Sequence, residues 1–313
     1  MRMANVTDIA TRRRNSGVLS NHDTTRGVDV SSAKVWFITG ASKGMGLSFV
    51  KAALDKGHAV VATGRRPDDI TTRFGERDGL LVVRLDVTSV DESNAAAEAA
   101  VERFGRIDVV INNAGASFKG YFAEMSPRQV EQQLATNLLG PMNVTRAVLP
   151  VMRGQRSGHV ISISSGAGLV AFEYSSVYAA SKFGLEGWMA ALEQEVAPFG
   201  IRTTIVNPGF FRTSLASPES LIWPERQIQD YGDRSAAQRM WWAAQDGKQP
   251  GDPDKLAQAV VMIADERPST RRFIAGADVI ALAERKIAKL KAEIASLRTL
   301  SESLTFDQAP DPR

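Results

Sequence analysis

The 313-residue chain contains no cysteine. Disulfides, thiolate metal sites and cysteine nucleophiles are excluded from the outset. The absence accords with a reducing compartment, and a cytoplasmic location is the expectation. Histidine is nearly as scarce, with only His22, His58 and His159. None offers a serine a persuasive general base, which counts against hydrolase chemistry. The same scarcity argues against a transition-metal centre, so no metal site is expected. No apolar run approaches the roughly 18–20 residues that a membrane-crossing helix requires. Charge of one sign is also missing, since 38 Lys and Arg stand against 35 Asp and Glu. The small surplus lies partly near the start, at Arg2, Arg12, Arg13, Arg14 and Arg26. No basic face interleaved with aromatics follows, so no nucleic-acid partner is expected.

What is present suffices for a folded core: 43% of residues are apolar and 23% charged. Residues 1–33 are polar, show no helical or strand period, and read as a disordered N-terminal tail. Their Arg, Ser and Thr would suit an organelle transit peptide, but Asp8, Asp23 and Asp29 count against one. From Lys34 the pattern changes. Short β-branched runs at 35–39, 59–63, 81–85, 109–112, 159–164 and 201–206 alternate with longer helical stretches. The helices are expected at 47–56, 91–104, 141–153 and 177–199. Strands apolar throughout, alternating with helices, mean a parallel sheet covered on both faces. The fold class is therefore α/β: a single doubly wound, Rossmann-type domain over 34–276, with ligands beyond the carboxyl ends of its strands.

Two segments depart from this alternation. Residues 214–249 carry Trp223, Tyr231, Met240, Trp241 and Trp242 among prolines and charges, and read as a helical lid over a pocket. Residues 277–313 form a C-terminal helical extension. There Ile280, Ala283, Ile287, Leu290, Ile294, Leu297 and Leu304 follow steps of three and four, interrupted only by Ser301. The stripe packs either on its own domain or on another subunit. A homo-oligomer, dimer or tetramer, is the expectation.

Directly after the first strand stands Thr39-Gly40-Ala41-Ser42-Lys43-Gly44-Met45-Gly46, opening a helix. Glycines let the backbone approach a diphosphate, and the helix N-terminus offers it unpaired N–H groups. The strand–turn–helix context makes this a dinucleotide signal rather than an ordinary turn. NAD-binding sheets usually end the second strand with an acid that accepts from the ribose hydroxyls. Here Thr63-Gly64-Arg65-Arg66 has none. Arg65, with Lys43 from the turn, is suited to a 2′-phosphate, so the expected cofactor is NADP(H).

Tyr178 and Lys182 share one helix face. An ammonium nearby favours a phenolate and brings the phenol toward its working range. Ser164 and Ser165 end the fifth expected strand, where a hydroxyl meets a substrate oxygen. Taken alone, each is an ordinary surface pair or serine turn.

Together with Asp86, Asn112-Asn113-Ala114-Gly115, Asn137 and Pro208-Gly209 followed by Thr213, these motifs closely resemble the short-chain dehydrogenase/reductase family. The resemblance spans about residues 34–276. It implies a catalytic tetrad of Asn137, Ser165, Tyr178 and Lys182, with Ser164 as the fallback serine. Tyr178 is then the acid–base, Lys182 its modulator and ribose ligand, Ser165 the substrate's hydrogen-bond partner and Asn137 the keeper of a kink and a relay water. For the cofactor it implies Gly40, Ser42, Lys43, Gly44, Met45, Gly46, Arg65, Asp86, Val87, Asn113, Ala114, Gly115, Pro208, Gly209, Phe211 and Thr213, joined by Tyr178 and Lys182. Within the family, the run 205–213 and the long lid look most like NADP-dependent oxidoreductases of hydroxysteroid- or retinol-dehydrogenase type. The implied activity is hydride transfer between cofactor and a carbonyl or alcohol. Phe118, Phe172, Tyr174 and the apolar lid suggest a bulky, apolar small-molecule substrate, or else simply pack the lid. The alternatives are a non-catalytic NADP(H)-binding redox regulator and a structural subunit.

Overall fold

The computed structural model describes residues 33–213, 217, 220–266 and 270–306. The expected tail, save Ala33, lies outside the described residues. So do 214–216 and 218–219 of the expected lid and 307–313 of the extension. The strands, in chain order, are β1 (Val35–Ile38), β2 (Ala59–Gly64), β3 (Leu80–Arg84), β4 (Val109–Asn112) and the two-residue β5 (Ser117–Phe118). They continue with β6 (Gly158–Ile163), β7 (Ile201–Pro208), the two-residue β8 (Leu221–Ile222) and β9 (Arg272–Ala275). The first helices are α1 (Gly44–Asp55), α2 (Pro67–Phe74), α3 (Val90–Phe104), α4 (Pro127–Leu134) and α5 (Gly140–Gln155). After them come α6 (Ser176–Val196), α7 (Gly232–Gln245), α8 (Pro253–Asp265) and α9 (Ala277–Glu302).

Seven strands form one parallel sheet in the order β3-β2-β1-β4-β6-β7-β9. Successive side chains of a strand point to opposite faces. Trp36, Ile38 and Ile111 accordingly join one core with Phe49 of α1 and Leu256 and Val260 of α8. Phe37, Val61 and Val110 join the other, with Ala96 and Ala100 of α3, Val144 and Val148 of α5, and Leu185 and Met189 of α6. Both faces are thus buried, as uniformly apolar strands demand. The doubly wound sheet is the expected one, extended by β9, which was not read from the sequence.

Strand order reverses between β1 and β4, and the crevice of such a sheet opens at that point. It is held by hydroxyl and amide bonds. The Thr39 hydroxyl donates to the Ile111 carbonyl at 3.2 Å and accepts from the Asn113 and Ala114 amides at 3.0 Å each. Asn112 donates to Thr145 at 3.0 Å and Ser162 at 3.2 Å, tying β4 to α5 and β6. The remaining surprise is α9. Only Val279 and Ala283 are buried, while Ile287, Leu290, Ile294 and Leu297 are each roughly half exposed. Beyond Ala283 the apolar stripe does not pack on its own domain.

Candidate active site

The turn after β1 is shaped by what a side chain would strike. Gly40 has φ +65°, and a Cβ there would lie 2.8 Å from the Ala114 Cα. A Cβ on Gly46 would lie 2.1 Å from the Gly40 carbonyl oxygen, so α1 docks closely against the turn. Gly44, with φ +56°, faces Thr213. These glycines open a cleft of about 560 Å³, lined by Gly40, Ser42, Lys43, Gly44, Gly64, Arg65, Asp86, Val87, Asn113, Ala114 and Gly115. The cleft sits on the N-terminus of α1, with no acidic side chain in that helix's first turn to compete for an anion. Its size, glycine floor and anion-seeking end fit a dinucleotide.

Both expected cations stand at its rim. Arg65 is exposed beside Gly64, where no carboxylate stands. Lys43 also lines the cleft, but its ammonium donates to Ser220 at 2.9 Å, bridging the glycine turn to the segment beyond β7. Ser42 lies near the same spot, with its Cβ 3.9 Å from a Cβ built on Gly64. Asp86 is partly buried, which raises its pKa. Two hydrogen bonds from Thr88 and the charges of Arg65 and Arg84 outweigh that, so the net direction is down. It therefore presents a charged acceptor to the cleft.

Of the expected tetrad, Asn137, Tyr178 and Lys182 line this cleft, and Ser165 hydrogen-bonds with Tyr178 from outside it. Burial raises the Tyr178 pKa, opposed by a hydrogen bond with Ser165. Lys182 is buried, donates to the Ile163 carbonyl at 2.9 Å, and lies 5.8 Å from the Tyr178 ring centre. Burial lowers its pKa to about 8, with Glu186 pulling the other way. Ser165 accepts from the Ala167 amide at 3.1 Å, and its carbonyl accepts from Asn207 at 3.0 Å. Asn207 in turn donates to Glu186 at 2.6 Å. Ser164 is the more buried of the serine pair, and among the described residues its hydroxyl has no partner. Asn137 sits in a single π-helical turn, Ala135–Leu139, between α4 and α5. Its side chain accepts from the Ala116 amide at 2.9 Å and donates to the Ala116 carbonyl at 3.0 Å, clamping the strand β5 side of the cleft. A π turn inserted in a helix commonly marks a functional position.

A second cavity, about 530 Å³, adjoins the cleft. Met45, Ser164, Tyr178 and Thr213 belong to the walls of both. Lys182 lines only the glycine cleft, and Ser165 only the second cavity. Pro208, Gly209 and Phe211, expected at the cofactor, line the second cavity where it adjoins the cleft, and Phe211 packs against Gly251. Aromatic expectations divide similarly. Phe172 lines the second cavity with Phe210, Trp241 and Trp242, whereas Phe118 lines the glycine cleft. Tyr174 lines neither; it is buried with φ +65° and sits edge-on to Tyr121. Two participants were not foreseen. The Glu186–Asn207 pair steadies Ser165, and its signal was at most a carboxylate one turn past Lys182. Lys119 lies in the second cavity's wall with its ammonium 2.8 Å from the Ser175 hydroxyl, and no periodicity announces it.

Among the described residues no helix is long and apolar enough to cross a membrane, and no cluster of acids and histidines could hold a metal. Comparison with known proteins agrees with the geometry. The family model for short chain dehydrogenases matches residues 34–221. Oxidoreductase BOA17 of Botryotinia fuckeliana is 34% identical over 271 residues, covering 86% of this chain and 98% of that protein. A 3-ketodihydrosphingosine reductase of Bacteroides thetaiotaomicron is 37% identical over 200 residues, covering 64% of this chain and 72% of its own. A solved short-chain dehydrogenase from Streptomyces avermitilis superposes with a TM-score of 0.78 at 34% identity, covering 88% of this chain and all of that one. With the sheet, the glycine turn and these relatives in agreement, the chain belongs to the short-chain dehydrogenase family of oxidoreductases.

Proposed function

We propose that this oxidoreductase interconverts a carbonyl and an alcohol with NADP(H), and that Tyr178 is its general acid in reduction and base in oxidation. Tyr178 carries the proposal by its position in the wall shared by both cavities, with Lys182 on one side and Ser165 on the other. A dinucleotide held in the glycine cleft supplies or takes up the hydride. Everything else falls to the chain's own groups. Ser165 donates to the substrate oxygen and fixes it beside the phenol. Tyr178, kept protonated by burial, gives that oxygen its proton in reduction. The Lys182 ammonium stabilises the phenolate left behind. Asn137 holds the π turn against Ala116 and keeps the relay's entrance in register.

NADP(H) is favoured over NAD(H) by Arg65 and by the missing acid at Gly64. Since Lys43 is engaged by Ser220, Arg65 carries most of the 2′-phosphate recognition, with Ser42 beside it. We assign residues 34–276 to the catalytic unit, 214–249 to the lid and 277–313 to an extension, with a cytoplasmic location. The aromatic wall formed by Phe172, Phe210, Trp241 and Trp242 favours a bulky substrate with an apolar body. The ketone reductase among the relatives is in keeping with reduction as the direction. A screen of NADPH and NADH oxidation over aldehydes, aliphatic ketones, quinones and steroid or retinoid carbonyls tests this. Turnover is expected with at least one bulky carbonyl, and faster with NADPH. Tight NADPH binding without any turnover favours a redox sensor instead.

The chain is also assigned to a homo-oligomer held by α9. Ile280, Ile287 and Ile294 recur every seven residues, as do Leu290, Leu297 and Leu304. Isoleucine in one row and leucine in the other favours two parallel strands of coiled coil. Leu290→Glu with Leu297→Glu is expected to halve the mass seen by light scattering while leaving the far-ultraviolet spectrum of the domain intact. An unchanged mass removes α9 as the contact.

A further inference from the structure

Lys119 is 4% exposed and follows β5, whose neighbour β8 accepts its amide at Ile222, 2.9 Å away. Its side chain turns into the second cavity. The ammonium lies 2.8 Å from the Ser175 hydroxyl, 4.9 Å from the Tyr178 ring centre and 4.3 Å from the Trp242 ring centre. Burial lowers its pKa to about 7, and no acid offsets the effect. The acids along this cavity are otherwise engaged. Glu173 pairs with Arg234 and Tyr121, and Asp278 accepts from the Phe210 amide at 2.8 Å. A buried ammonium without a carboxylate is costly, and a ligand that brings the counter-charge removes the cost. The two lysines also flank the phenol differently: Lys182 faces the dinucleotide cleft and Lys119 the substrate cavity.

Building on the carbonyl reductase assignment above, we propose that Lys119 anchors a carboxylate on the substrate, which makes the preferred substrate an oxo acid with a bulky apolar or aromatic body. Because Lys119 and Ser165 both reach Tyr178, the carboxylate lies within a few bonds of the reacting carbonyl. The apolar body then rests on Trp241, Trp242 and Phe210. In reduction the C=O π bond breaks. The carbon gains the hydride of the reduced nicotinamide, which is thereby oxidised, and the oxygen gains the Tyr178 proton. The carboxylate is carried through unchanged.

The test compares 2-oxo-4-phenylbutanoate with its methyl ester, which has the same carbonyl and body but no charge. The wild-type enzyme is expected to favour the acid at least tenfold in kcat/KM, chiefly through KM. Lys119→Met is expected to lower that acid-to-ester ratio about 30-fold, and Lys119→Arg to restore most of it. The non-reducible 4-phenylbutanoate gives a reading without turnover. Its effect on tryptophan fluorescence is expected to saturate about 30-fold later in Lys119→Met. Equal or better use of the ester by the wild type overturns the carboxylate assignment while leaving the carbonyl reductase intact. So does an equal loss on both substrates in Lys119→Met, which marks Lys119 as a prop for Ser175. Reduction of neither probe, nor of any carbonyl in the wider screen, overturns both proposals together.

Discussion

Tyr178→Phe is expected to lower kcat by roughly 10³-fold while NADPH affinity moves less than about twofold. The substitution removes one oxygen and leaves the ring, which is buried among neighbours that hold α6 in place. What is lost is the hydroxyl of a residue that lines both cavities and is proposed above as the proton donor, so the expected loss falls on the chemical step and not on either binding step. Single-turnover absorbance at the nicotinamide band, with NADPH fluorescence for binding, separates the two. A variant that turns over at the wild-type rate removes Tyr178 from the chemistry. Parallel losses of rate and NADPH affinity make it a structural residue. Lys182 offers no substitute, since its ammonium already donates to the Ile163 carbonyl and lines only the dinucleotide side.

Arg65→Asp is expected to shift the NADPH-to-NADH preference by about 100-fold toward NADH. On the NADP(H) reading proposed above the substitution acts twice: it removes the cation assigned to the 2′-phosphate, and it places next to Gly64 an acid of the kind that accepts from a ribose hydroxyl. Arg65 is exposed, so the fold does not depend on it. Salt should compress the preference of the wild type more than that of the variant, because only the wild type relies on an attraction that ions screen. Lys43→Ala is the informative contrast. With Lys43 turned to Ser220, its removal changes the cofactor ratio far less than Arg65→Asp. An unaltered ratio in Arg65→Asp takes the phosphate away from Arg65 altogether.

The parts of this protein visible in the bare chain are those dictated by local order. Strands apolar on both alternating sets of positions, such as 35–38 and 109–111, imply a sheet buried on both faces wherever they occur. Tyr178 and Lys182 share a face by helical arithmetic alone, and the glycine turn follows its strand directly. Strand β9 is not legible because Arg272-Phe273-Ile274-Ala275 is short and begins with a charge, whose partners Asn207 and Glu186 lie far off in the chain. The outward row on α9 was visible as a pattern, but whether its own domain covered it depends on where α9 leaves β9. Lys119, Glu186 and Asn207 were illegible for a different reason. Their roles come from residues 56, 21 and 42 positions away in the chain, which only the folded sheet brings within reach. The second cavity was illegible in the same way, since its wall brings Pro208, Gly209 and Phe211 together with residues of α7 and α9.

Helix α9 does two things with one rigid rod. Its first turn puts Val279 against Gly166 and contributes Asp278, Val279 and Leu282 to the second cavity, while its later turns present the uncovered isoleucine and leucine rows. Twenty-six residues in a helix extend about 39 Å, so one continuous element connects the cavity wall to the uncovered rows. Linkage then makes the relation reciprocal. Whatever factor self-association adds to the affinity for a ligand in that cavity, the ligand adds to self-association. For the homo-oligomer proposed above, the expected result is that half-saturation by a ligand of that cavity shifts with enzyme concentration across the monomer–oligomer range; a half-saturation that does not move on dilution separates the two ends of α9.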